Sequence, residues 1–75
     1  MPLTGPILDR LGALTGMTEE ELQEAMLDGS LTDRLWDGRA ILWYEDGERG
    51  QWMFDCDEMR MLFDLEVLEA MDDLR

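Results

Sequence analysis

The chain has no histidine, no lysine and a single cysteine, and these absences remove most routes to catalysis. Acid–base work near neutral pH draws on a group that titrates there, and covalent work on an activated nucleophile. Cys56 and paired carboxylates are the candidates left. Cys56 stands between Asp55 and Asp57, whose charge opposes the thiolate, although a helix N-terminus expected nearby pulls the other way. The sequence therefore reads as non-enzymatic, with no catalytic residue and no cofactor. A lone cysteine also leaves no intrachain disulfide and no zinc spacing. Asp55, Asp57 and Glu58 lack the turn glycine and spaced oxygens of a calcium loop, so a helix cap explains them better than a metal site. No apolar run approaches the ~20 residues of a membrane span, and the start of the chain lacks a leader pattern. A cytoplasmic location is expected.

Positive charge is scarce as well. Nineteen carboxylates face six arginines, giving a formal charge of -13. Phosphate backbones and anionic lipid would repel such a chain, so neither nucleic acid nor membrane is an expected direct partner. A basic protein surface would attract it, with association that salt slows. The tryptophans do not reverse this, because single-strand binders set their aromatic platforms in a positive groove. Core packing is their expected role.

What the sequence does have is enough apolar material to fold. Forty-five per cent of its 75 residues are hydrophobic, well above the disordered range. One domain, spanning residues 1–75, is all this length allows, and it hides only about 60% of the unfolded surface. A homodimer is one way to make up that deficit.

Ile7, Leu11 and Leu14 recur at helical spacing between Pro6 and Leu14, and Gly16 ends the segment. Thr18-Glu19-Glu20-Glu21 forms a capping box, with Met17 placed to staple against Leu22. A second helix should run to about Asp28, stop at Gly29 and bury Leu22, Ala25 and Met26. Residues 30–38 read as irregular. From Arg39 to Asp55, aromatic and branched residues flank Asp46-Gly47, a strong hairpin signal. A two-residue turn there would set Ile41 against Trp52 and put Trp43 and Phe54 on one face. It would also oppose Glu45 to Glu48, so a longer loop with a bulge stays open.

A last helix is expected from Asp57 to about Asp73, capped by Asp55 with Glu58 three residues on. It would carry two apolar stripes: Met59, Phe63, Val67, Ala70 and Leu74 on one side, Met61, Leu65 and Leu68 nearly opposite. The second stripe is either a dimer or partner seam or one side of a three-layer packing. The expected class is thus α+β, in the order α-α-β-β-α, with one antiparallel hairpin packed on helices.

Between those stripes Glu58, Glu66, Glu69 and Asp73 would share one arc, and Glu20 and Glu24 stand out on the second helix. Rows of charge are usually a solvated face. Their alternative use is to imitate a polyanion: nucleic-acid sites are lined with Lys and Arg, and a rigid carboxylate array can fill them.

In length, in the acidic helix from Thr18 to Glu24 and in the carboxylates from Asp55 to Asp73, the chain resembles the small acidic inhibitors of phages, among them anti-CRISPR proteins and other DNA mimics. That resemblance implies binding to the basic surface of a nucleic-acid-binding protein or complex, within a host bacterial cell. The run of helix, glycine, hairpin with central Asp46-Gly47, then helix is also similar to small phage head-completion proteins. This second likeness implies a similar fold and a virion-joining role; the alternative function is a structural or adaptor protein, head-completion-like or antitoxin-like, that uses the second apolar stripe and the outer hairpin face of Leu42, Tyr44 and Met53.

Overall fold

In the computed structural model, which describes residues 3–74, the first two helices stand where the spacing places them. Helix α1 is Gly5–Thr15 and α2 is Glu19–Asp28, each closed by its glycine, Gly16 or Gly29. The capping box is complete. The Thr18 hydroxyl accepts from the Glu21 amide at 3.1 Å, and the Glu21 carboxylate accepts from the Thr18 amide at 3.0 Å. Leu11 and Leu22 are fully buried, and Met17 joins Leu22 in the same cluster.

A four-stranded antiparallel sheet follows, in the order β1 (Leu31–Trp36), β2 (Arg39–Asp46), β3 (Gly50–Asp55) and β4 (Arg60–Met61). The segment expected to be irregular is β1, turned back by Asp37-Gly38, both at positive φ (53° and 73°). That is the backbone a two-residue hairpin needs. The second hairpin is longer. Asp46 pairs with Gly50, which places Ile41 opposite Asp55, Leu42 opposite Phe54 and Trp43 opposite Met53. Trp43 and Phe54 consequently face opposite sides, not the same one. Glu45 meets Gln51 in place of Glu48, which removes the like-charge clash a tighter turn would create.

The third helix, α3, is Asp64–Leu74, seven residues shorter at its start than the Asp57 origin expected from the carboxylates. Asp55 does accept amide bonds from Asp57 (2.9 Å) and Glu58 (3.0 Å), but these close a turn. Met59 at φ 57° then ends any helical path, and β4 pairs back onto Phe54 and Asp55.

Helices α1 and α2 cover one face of the sheet through Leu31, Leu42, Tyr44 and Phe54. Helix α3 covers the other through Trp36, Ile41, Trp43, Met53 and Leu62. The result is three layers with the sheet in the middle, so Leu42, Tyr44 and Met53 are core residues and offer no outer face. Burying each such side chain contributes about 1.5–3 kcal/mol. Among the described residues, no helix is long and apolar enough to cross a membrane.

Candidate functional site

The two apolar stripes expected on one helix belong to different elements. Met61 lies in β4, half-buried against the α1/α2 layer, while Leu65 and Leu68 are exposed on α3 (79% and 59%). Val67 and Ala70 face the core as expected. Phe63 precedes the helix and is 74% exposed, and Met59 packs on the opposite layer. The side chain of Leu74 lies outside the described set.

The acidic arc is broken for the same reason. Glu58 sits in the turn before β4, and Arg60 gathers it together with Glu66, at 2.7 Å and 3.0 Å respectively. The Arg60 guanidinium holds the Glu66 carboxyl below its ordinary range, and the two carboxylates raise Arg60 in return. Asp73 accepts a 2.9 Å bond from the Trp36 indole, tying α3 to β1. Of the four, Glu69 alone is exposed with no hydrogen bond or ion pair among the described residues.

Helix α2 is different. Glu20, Glu24 and Asp28 recur every four residues and are all exposed, which puts a negative charge about every 6 Å along one side of the helix. No arginine among the described residues pairs with any of them. Arg39 is spent on Asp55 (2.9 Å), Arg49 on Glu21 and Arg60 on Glu58 and Glu66. Arg34 lies over the Trp43 ring at 4.2 Å, and Arg10 donates to the Met59 carbonyl at 3.3 Å. Like charges at this spacing oppose helix formation, so the row persists against a local cost.

Beside the row a groove of about 190 Å³ opens between α2 and the end of the sheet. Glu21, Glu24 and Asp28 line it from the helix, Tyr44 and Asp46 from β2, and Arg49 from the loop between β2 and β3. The Thr18 amide, and after it the Arg49 guanidinium, keep the Glu21 carboxyl below its usual value. Ser30 does the same for Asp28, through its hydroxyl and its amide.

Cys56 has an environment unsuited to attack. Burial first, then Asp55, Asp57 and Asp33, push its thiol up to about 11, which leaves little thiolate at neutral pH. Asp55 is fully buried and committed to Arg39 and the turn amides. Among the described residues, no cluster of three or more His, Cys, Asp or Glu is arranged to hold a metal ion.

No protein-family model, curated protein or solved structure matches the chain. Sequence reasoning missed Asp28, Ser30, Tyr44 and Asp46 as one site. The signal was Asp37-Gly38: read as a tight turn, it pairs β1 with β2 and brings residue 31 opposite residue 44.

Proposed function

We propose that this chain is a binding protein that presents the Glu20, Glu24 and Asp28 row to the cationic site of a nucleic-acid-binding protein and so keeps nucleic acid out of it. The observation that carries this reading is the row itself, three exposed carboxylates on a capped, rigid helix with every nearby arginine committed elsewhere. Carboxylates fixed on a helix lose little entropy on meeting a Lys/Arg-lined site, and they compete with phosphate for it. The target class is a bacterial nucleic-acid complex, such as a CRISPR surveillance complex, and the inhibitor class is the phage-encoded one the chain resembles.

The test is capture from bacterial lysate on the immobilised protein, with duplex DNA as competitor. Basic nucleic-acid-binding proteins should be retained at low salt, displaced by DNA and lost with the Glu20→Arg, Glu24→Arg double variant. Capture that ignores salt and the charge reversal would remove the proposal.

A second reading is favoured by the exposure of Phe63, Leu65 and Leu68 beside one another in sequence. It makes the chain an adaptor that docks through α3, either on a partner or on a second copy as a homodimer. Binding by that face should persist at high salt and fall with Leu65→Ser, Leu68→Ser.

A further inference from the structure

The groove beside the α2 row is lined by a tyrosine whose hydroxyl no side chain of the described residues engages. Tyr44 is 3% exposed, its ring stacked on Trp52 with centroids 5.0 Å apart. Tyr44 lines the groove, close enough to Asp46, Arg49, Asp28 and Glu21 to feel their charge, and its hydroxyl, which no side-chain hydrogen bond among the described residues includes, is open to solvent there. Burial, and then the charge of Asp46, raise the phenol above its ordinary range, so it stays protonated at neutral pH. A protonated phenol can accept an N–H and pass its own proton to a carboxylate.

The groove already holds one guanidinium. Arg49 pairs with Glu21 at one end, while its amide donates to Asp46 at 3.0 Å. Glu24 and Asp28 line the remainder with no arginine on them, and Met17 and Ala25 contribute to a lining that is mostly polar. A mostly polar groove whose carboxylates do not converge on one point fits a charged, forked head with several donors. The volume is below the roughly 300–1,000 Å³ of small-molecule pockets. The donors also do not converge as a metal requires.

We infer that this groove seats an arginine side chain of the partner protein, its guanidinium held between Glu24, Asp28 and the Tyr44 hydroxyl. The inference rests on the proposed use of the α2 row and names the side chain that row receives. A lysine is a poorer occupant, because its compact ammonium cannot bridge acceptors that stand apart.

The test is a titration of the nitrogen-15-labelled full chain at low salt with a short peptide of alternating glycine and arginine. The lysine peptide of equal charge, free L-arginine and CaCl2 serve as separate arms. The arginine peptide should shift the Ser30, Tyr44 and Asp46 amide signals and saturate, with the lysine peptide several-fold weaker. Tyr44→Phe, which keeps the ring and its stack, should weaken the arginine peptide by about tenfold, the loss of one charge-assisted hydrogen bond. If that variant fails to fold, the place of the shifts and the exposed Glu24→Gln variant decide the matter. Shifts confined to Glu19 and Glu20 and indifferent to Tyr44→Phe overturn the groove and leave the row standing. Absence of binding by either peptide overturns both. Equal binding of the lysine peptide, equal binding of free arginine or displacement by calcium each overturns the arginine seat.

Discussion

At the scale of single residues, Asp55 is the buried charged side chain among the described residues. It is fully buried, and its two oxygens accept three bonds: from the Asp57 and Glu58 amides and, at 2.9 Å, from Arg39. Arg39 in turn lies over the Trp36 ring at 4.8 Å. Asp55→Ala would leave that guanidinium partly buried and two amides unsatisfied, at a cost of about 3–5 kcal/mol. A chain of this length has roughly 4–11 kcal/mol in total, so the variant should be mostly unfolded at modest urea. Asp55→Asn keeps an oxygen for the amides and should lose distinctly less. A stability for the alanine variant within about 1 kcal/mol of the parent in urea denaturation would overturn this role for Asp55.

At the scale of elements, the Asp-Gly pairs of the two hairpins make opposite use of one signal. Sequence reading assigned the tight turn to Asp46-Gly47, yet the structure uses it at Asp37-Gly38 and gives the other hairpin a loop that ends on Gly50 at φ 95°. Gly38→Ala should therefore cost about 1–2 kcal/mol, the price of a Cβ in the left-handed region. Gly47 has an ordinary φ and open space around it, so Gly47→Ala should change stability by less than about 0.5 kcal/mol. Equal effects in thermal melts would contradict the hairpin geometry. The helices were legible because a cap, a glycine stop and a regular apolar spacing all agreed. Strand β1 was not, because Thr32, Asp33 and Arg34 interrupt its alternation and Leu31, Leu35 and Trp36 imitate a helical turn. The start of α3 was hidden by a change of period. Met61 and Leu62 alternate across the sheet as strand residues do, while Val67 and Ala70 follow the helix, and the two patterns overlaid read as two stripes. On α2, Glu20 and Glu24 were readable for the same reason as their helix, while Asp28 in its last turn was not singled out. The Tyr44 half depended on the register set by the Asp37-Gly38 turn, which the broken alternation of β1 concealed.

At the scale of the whole molecule, a surplus of 13 negative charges on 75 residues opposes the compact state. The ion pairs at Arg49 and Arg60 are partly exposed, and such pairs contribute about 0–1 kcal/mol each, so they do not offset it. Screening relieves the repulsion more than it weakens those pairs. The melting temperature of the free chain should rise when NaCl goes from low to about 0.5 M, and each 1 kcal/mol gained raises it by roughly 4–8 °C. Sodium chloride is the salt to use, because sulfate stabilises proteins by exclusion and would imitate the effect. A complex with a cationic partner must respond in the other sense, since the same ions screen the attraction that forms it. Salt should therefore stabilise the chain alone and dissociate it from its target, two slopes of opposite sign from one set of carboxylates. Docking through Phe63, Leu65 and Leu68 gives only the first slope. Calorimetry of the free chain and of the captured complex across one salt series separates the two readings, and a complex that holds at high salt assigns the binding to α3 and leaves the acidic row without a role.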